Sequence, residues 1–215
     1  MSVLIESALV FLLLANLVLL GASRLALGIR TLALQGLALG LLPVLLAGSE
    51  AFTARVILLA AVSLTLKGVV FPRLLFRTLR AAGVRHEVEP SVGYAASLLV
   101  GVLTLGLSLW LGTRLSTSLP VASPLLLPTA LATALTGLFL IVSRQKALTQ
   151  VMGYLGMENG IYLFGLAVAR DEPFLVELGV LLDLLVGVFV MGIAVFHISR
   201  EFDHIDVDQL SALKD

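Results

Sequence analysis

The sequence predicts an all-α protein, a membrane-embedded bundle of about seven transmembrane helices. Of its 215 residues, 59% are hydrophobic and only 13% are charged, whereas a soluble globular domain carries about 25% charged residues. The apolar residues form runs close to the roughly 20 residues that a helix needs to cross a bilayer. Because this composition extends over the whole length, we predict a polytopic integral membrane protein.

Hydropathy divides residues 1–198 into seven predicted spans of one transmembrane domain and leaves 199–215 as a short polar tail. The second span is the shortest, and Pro43 is expected to interrupt it. Glu6 and the absence of a basic segment before the first span indicate a retained helix rather than a signal peptide. The predicted spans are Val3–Leu20, Leu32–Ala47, Val56–Phe76, Val92–Leu111, Leu125–Val142, Ala147–Ala169 and Phe174–Ile198.

The distribution of positive charge predicts the orientation of these spans. With seven crossings, ten of the 14 Lys and Arg residues fall in connections on one side of the membrane. The longest of these connections is expected at Arg77–Pro90. The positive-inside rule then places the N-terminus outside and the C-terminus in the cytoplasm.

A weak internal repeat suggests how the helices are organised. The motif Gly36-x-x-x-Gly40 recurs as Gly156-x-x-x-Gly160 at a spacing of 120 residues. Residues 1–76 would then correspond to 125–198, with 92–111 as a linker helix. The result would be a parallel three-helix repeat of a kind known in transporters.

Three ionisable residues lie near the middle of predicted spans: Lys67, Glu158 and Asp183. A charge at the centre of a transmembrane helix costs roughly 2.5–3.5 kcal/mol on insertion scales, and such residues often form proton relays. We therefore predict a relay of Glu158, Asp183 and Lys67. The structural alternative remains open, because an acid can simply pair with a base on a neighbouring helix, and a lysine stem can extend to the interface.

Neighbouring residues on the sixth span are predicted to support Glu158. Tyr154 and Tyr162 lie four residues before and after it, on the same helix face, where their hydroxyls could hydrogen-bond the carboxyl group. Asn159 adds a polar group beside it. Small residues allow membrane helices to approach closely, and this packing role is predicted for Gly156, Gly160 and Gly187.

Several classes of function are disfavoured by composition. The chain has no cysteine, and its three histidines are scattered near predicted helix ends, so we expect no metal site and no cofactor in this chain. The net charge of zero gives no sign of nucleic-acid binding. With no nucleophile-and-base set and no phosphate loop, a catalytic centre is not expected.

Motifs in the last third of the chain resemble a known family. Residues 156–160 (GMENG), followed by 176–180 (VELGV) and Asp183, resemble component E of hydrogenase-4 and formate-hydrogenlyase-like complexes, and 205–214 resemble its C-terminal end. That family is related in its C-terminal part to subunit K of complex I and to a small subunit of multisubunit cation/proton antiporters. The resemblance implies that Glu158 and Asp183 belong to a polar axis in the membrane, although the second acid is usually Glu in those two smaller subunits.

The resemblance implies a non-redox membrane subunit of an energy-converting NiFe hydrogenase or formate-hydrogenlyase-like complex. Its carboxylates would contribute to proton or ion translocation driven by redox chemistry elsewhere. The NiFe and Fe–S centres would lie on partner subunits that form a peripheral hydrogenase-type module. Antiporter-like subunits would be the neighbours of this chain in the membrane. The location would be the bacterial or archaeal inner membrane. Two alternatives remain: a subunit of a multisubunit cation/proton antiporter, and a purely structural scaffold of the membrane arm.

Overall fold

The computed structural model describes residues 2–47, 54–81, 91–116 and 122–168, together with Gly187. These residues form helices and contain no strand, so the predicted all-α class is confirmed. The elements are α1 (Ser2–Gly21), α2 (Leu25–Ala47), α3 (Ala54–Thr65), a π-helical segment (Leu66–Val70), α4 (Phe71–Ala81), α5 (Tyr94–Ser116), α6 (Leu126–Ser143) and α7 (Ala147–Val168).

Five helices among the described residues are long and apolar enough to cross a membrane. They are α1, α2, the continuous helix that contains Val56–Arg80, α5 and α6. Helix α7, the predicted sixth span, has 22 residues and carries Glu158 and Asn159 near its middle. A multi-pass helical membrane protein therefore follows from length and composition. The predicted seventh span, with Asp183, lies outside the described residues except for Gly187.

The second helix is longer than predicted. It begins at Leu25 rather than Leu32 and continues through Pro43 without interruption. The first turns join the helix because Leu25, Gly28 and Ile29 face the interior, while Arg30 remains exposed. Pro43 lies close to the C-terminal end, so its missing N–H removes only one of the last helical hydrogen bonds.

The third predicted span also extends further than expected. The segments α3, π and α4 form one continuous helix that ends at Ala81 rather than Phe76. Residues 77–81 were predicted to start the Arg77–Pro90 connection, and that part of the prediction is wrong. They remain helical because α4 is amphipathic: Phe71 and Leu75 are buried, whereas Arg73 and Arg77 are exposed on the opposite face.

The interior consists of two apolar clusters separated by polar residues. The first cluster includes Leu19 of α1, Leu32 of α2, Leu140 of α6 and Leu155 of α7. The second includes residues from the opposite ends of the same helices: Leu12, Leu39, Ala130 and Leu163. Between the clusters lies a set of buried polar residues that we call the polar layer: Asn16, Gln35, Lys67, Thr133, Glu158 and Asn159.

Helices α6 and α7 form a closely packed hairpin. A Cβ atom at Gly153 would lie 2.8 Å from the backbone nitrogen of Ile141 and 2.9 Å from the carbonyl oxygen of Gly137. A Cβ at Gly160 would overlap the backbone of Ala134. Real Cβ atoms do not approach a backbone this closely, so glycine permits the contact. This packing holds Glu158 against the neighbouring helices.

Candidate functional site: a buried ion pair in the polar layer

A buried ion pair joins the two halves of the described chain. Lys67 Nζ donates a hydrogen bond to Glu158 Oε1 at 2.5 Å, and the two residues are 4% and 2% exposed. A second acceptor, Asn159 Oδ1, lies 3.3 Å from the same ammonium group. The structure therefore brings together two of the three predicted relay residues, which are separated by 91 positions in the sequence.

The π-helical segment Leu66–Val70 carries Lys67 into this position. The backbone N–H of Phe71 donates to the carbonyl of Leu66, a wider turn than the i to i−4 bond of an α-helix. Helix α2 permits the close approach of this segment, because a Cβ at Gly36 would lie 2.6 Å from the Lys67 carbonyl carbon. Short π-helical turns inside α-helices occur frequently at functional sites.

Helix α7 also places an aromatic ring beside the ammonium group. The ring of Tyr162 lies with its centroid 4.6 Å from Lys67 Nζ, within the range of a cation–π interaction. Tyr154, one turn on the other side of Glu158, is half-buried and packs against the first apolar cluster. The two tyrosines that share a face with Glu158 therefore lie in different surroundings.

The glycines predicted for packing lie in three different places. Gly160 is pressed against α6, as described above, whereas a Cβ at Gly156 would meet Gly137 at an ordinary 3.6 Å. A Cβ at Gly187 would lie 3.1 Å from Cε1 of Phe71. Phe71 is four residues beyond Lys67. Gly187, the described residue of the predicted seventh span, therefore lies beside the helix that carries Lys67.

A second set of hydrogen bonds lies in the same polar layer, and sequence analysis gave it no role. Gln35 Nε2 donates to Asn16 Oδ1 at 2.9 Å, and Asn16 Nδ2 donates to Thr133 Oγ1 at 2.8 Å. The three residues are between 0% and 4% exposed. The available signal was Asn16, an amide inside the first predicted span, where a polar side chain needs a partner.

Another polar cluster, remote from the ion pair, surrounds Arg144 at one end of the bundle. Sequence analysis gave Arg144 no role of its own, but the residue is only 2% exposed. Its guanidinium donates to the carbonyls of Leu20 at 2.8 Å and Val92 at 3.2 Å, and lies 4.9 Å from the ring centre of Tyr94. Arg144 thus connects the end of α1 to the start of α5.

A small cavity adjoins the ion pair. It is lined by Lys67 and Asn159, with apolar walls that include Phe71 and Leu155, and the volume open to the centre of a water molecule is about 10 Å³. That space is about enough for one water. Because Lys67 both lines this cavity and donates to Glu158, its ammonium group could pass a proton between a water in the cavity and Glu158. Among the described residues, no three His, Cys, Asp or Glu side chains are placed to hold a metal ion.

Comparison with known proteins gives two kinds of match. Residues 125–215 match the family model of NADH-ubiquinone/plastoquinone oxidoreductase chain 4L. Over 218 residues the chain is 32% identical to the uncharacterized protein Rv0085 of Mycobacterium tuberculosis, covering 100% of this chain and 97% of that protein.

A shorter match concerns a hydrogenase component. Over 80 residues the chain is 41% identical to hydrogenase-4 component E of Escherichia coli K12, covering 37% of each protein, and the match in Shigella flexneri has the same values. No solved structure matches the chain. The chain therefore belongs to the family of the mycobacterial protein Rv0085, and it is related to hydrogenase-4 component E and, in its C-terminal part, to chain 4L of complex I.

Proposed function

We propose that this chain is a non-redox membrane subunit of a complex I-like, energy-converting hydrogenase or formate-hydrogenlyase-like complex. In this role the Lys67–Glu158 pair, together with Asp183, moves protons or relays charge between neighbouring subunits. The observation that carries the proposal is the ion pair itself, buried at the middle of a membrane bundle. The relatedness to hydrogenase-4 component E and chain 4L supports the type of complex.

The pair has chemistry suited to a relay. Transfer of one proton along the bond from Lys67 Nζ to Glu158 Oε1 turns an ion pair into a neutral amine and a neutral carboxylic acid. The ion pair has a large dipole and the neutral pair a small one, so a nearby charge changes their relative energy, and the low local dielectric strengthens this effect. A charge that arrives on an adjacent subunit therefore shifts the balance between them. Lys67 also lines the adjoining cavity, so a water there can hydrogen-bond its amine and deliver the next proton to it.

The partners follow from the same proposal. NiFe and Fe–S centres belong to other subunits of the complex, and antiporter-like membrane subunits lie beside this chain. The complex resides in a bacterial or archaeal cytoplasmic membrane, with the N-terminus outside and the C-terminal tail in the cytoplasm. Positive charges on α4, including Arg73 and Arg77, then face the cytoplasmic side.

The first experiment is gentle purification of the protein from its native membrane, with mass spectrometry of the proteins that accompany it. A NiFe large subunit together with Fe–S proteins supports the proposal. Antiporter subunits without a redox partner point instead to a multisubunit cation/proton antiporter. Isolation of the chain alone contradicts both.

The second experiment tests the relay in the assembled complex. The double variant Lys67→Met/Glu158→Gln removes both charges while keeping similar side-chain volumes, so it leaves no unpaired charge and should assemble. We expect coupled ion movement to fall at least about tenfold, corresponding to 1.4 kcal/mol in the barrier. Glu6→Gln, which changes an exposed carboxylate of α1, is the matched control and should retain full coupling.

A structural scaffold is the alternative, and one observation favours it: the pair links the π-helical segment to α7 across 91 positions of sequence. The same double variant separates the two ideas. Normal assembly with normal ion movement would refute the relay, and failed assembly of the neutral pair would favour the scaffold. Asp183→Asn supplies an independent reading, since the relay requires this acid as well.

A further inference from the structure

The hydrogen-bonded set of Gln35, Asn16 and Thr133 in the polar layer adjoins, at its two ends, the helical segments that carry Lys67 and Glu158. Asn16 accepts from Gln35 of α2 and donates to Thr133 of α6. One amide of α1 thus ties together two other helices. All three residues are at least nine-tenths buried, and none of the three carries a charge.

One end of this set adjoins Lys67. Gln35 directly precedes Gly36, where the two backbones approach so closely that a Cβ would lie 2.6 Å from the carbonyl carbon and oxygen of Lys67. The rotation of α2 about its own axis therefore determines where the π-helical segment can sit. The hydrogen bond from Gln35 to Asn16 fixes that rotation.

The other end adjoins Glu158. Thr133 lies one helical turn before Gly137, and a Cβ at Gly137 would overlap the backbone nitrogen of Met157, the residue before Glu158. Thr133 Oγ1 also donates to the carbonyl of Thr129 within α6. The Asn16 bond to Thr133 therefore fixes the rotation of α6 at the level where α6 supports Glu158.

We propose that Asn16 is a positioning residue for the Lys67–Glu158 pair, because it closes a ring of contacts that aligns the helices carrying both charges. The ring runs from the Lys67 backbone through Gly36 and Gln35 to Asn16, and returns through Thr133 and Gly137 to Met157 and Glu158. Hydrogen bonds are directional, so they fix helix rotation where apolar contacts alone permit sliding. The inference rests on the proposed function for its consequence in ion transfer, but its geometry can be tested separately.

The test uses an isosteric change at the far end of the ring. Thr133→Val removes the acceptor of the Asn16 amide while keeping the branched shape, and Thr133→Ser keeps the hydroxyl. Thr129→Val is the matched control: Thr129 is also buried on α6, but its hydroxyl donates only to the carbonyl of Leu125 in its own helix. The readout is the infrared carboxylate band of Glu158, obtained in the complex as the difference spectrum against the same protein carrying Glu158→Gln.

We expect Thr133→Val to shift the Glu158 band by several wavenumbers or to replace it with a protonated carboxyl band, because the Lys67 bond is disturbed. Thr133→Ser should restore the wild-type band, and Thr129→Val should leave it unchanged. An unchanged band in Thr133→Val, or an equal shift in Thr129→Val, overturns the proposal. If Thr133→Val does not fold, Gln35→Met decides by the same criterion.

The two proposals fail in different ways. If coupled ion movement survives in Lys67→Met/Glu158→Gln, the relay is refuted whatever the infrared band does. If the relay holds but the band in both Thr133→Val and Gln35→Met matches the wild type, Asn16 has no positioning role.

Discussion

The two halves of the bundle contribute opposite charges to one site by different structural means. In the C-terminal half, α7 is a regular helix pressed against α6 through Gly153 and Gly160, and this packing holds Glu158. In the N-terminal half, Lys67 lies on a π-helical turn whose backbone packs closely against Gly36 of α2. The carboxylate thus depends on close packing within a hairpin, whereas the ammonium depends on a local departure from α-helical geometry.

The match to the chain 4L family model separates the same two halves of the chain. The chain 4L model covers residues 125–215, which include Glu158 but not Lys67. The cation therefore comes from the region outside the matched segment. The site thus joins a carboxylate inside the segment matched by the chain 4L model to a cation outside that segment.

The largest expected effect comes from breaking the ion pair that the two halves share. Lys67→Met leaves Glu158 buried without its cation, which should lower the free energy of unfolding by about 3–5 kcal/mol. The double variant Lys67→Met/Glu158→Gln should recover most of this loss. Unfolding in mixed detergent micelles, followed by circular dichroism, measures both. If the double variant is as unstable as the single one, the charges are not energetically coupled.

The packing of the C-terminal half is tested by Gly160→Ala. The added methyl group overlaps the Ala134 backbone, which cannot move aside as a flexible side chain can, so we expect a loss of about 2–3 kcal/mol. Gly165→Ala is the matched control on the same helix, because no atom of the described residues lies within 4 Å of its Cβ position. The control should change stability by no more than about 0.5 kcal/mol. Equal effects at both glycines would mean that α6 and α7 are not in close contact.

The support of the N-terminal half is tested by Gly36→Ala. Its methyl group would press on the Lys67 carbonyl, and we expect about 1–2 kcal/mol of destabilisation as the π-helical segment moves away. The change should also disturb the Glu158 infrared band, because it acts on the partner of that carboxylate. Gly106→Ala on α5, where no described neighbour lies within 4 Å of the Cβ position, should leave both stability and band unchanged. An unchanged Glu158 band in Gly36→Ala would show that α2 does not position Lys67.

The smallest expected effect concerns the end of the bundle. Arg144→Lys keeps the charge but loses the fork that reaches both Leu20 and Val92, so we expect a loss of about 1 kcal/mol. Arg114→Lys, at an exposed position on α5, serves as its control and should stay within about 0.5 kcal/mol. The same unfolding assay applies, and a neutral result at Arg144 would show that its hydrogen bonds contribute no net stability.

Sequence analysis located the helices better than it located their contacts. The α6 and α7 boundaries were predicted within one residue, because Ser143–Lys146 interrupts the apolar pattern there. The start of α2 was missed because Arg30 looked like a loop residue, although a charged side chain at a helix end can reach the interface. Glu158 and Lys67 were singled out from their cost in a membrane. Their pairing was not predictable, since helix neighbours are set by packing across 91 residues.

The hydrophobic periodicity of the sequence also could not predict the π-helical turn or the hydrogen bonds of Asn16. A five-residue change of helix type leaves almost no trace in the sequence, and Gly68 within it is as compatible with a plain α-helix. Asn16 is a single amide in a span of leucines, and its importance depends on Gln35 and Thr133, which lie on other helices. Such features are properties of the assembled bundle.

The separation of the two charges along the chain has a consequence for biosynthesis. At about 5–20 residues per second, the ribosome needs roughly 5 to 20 seconds to reach Glu158 after it has made Lys67. During that time the third helix holds an ammonium group in the bilayer without the acceptor that it has in the finished protein. Until α7 arrives, the charge of Lys67 opposes insertion of the third helix by roughly 2.5–3.5 kcal/mol on insertion scales, and the contact with Glu158 offsets this cost only in the finished bundle.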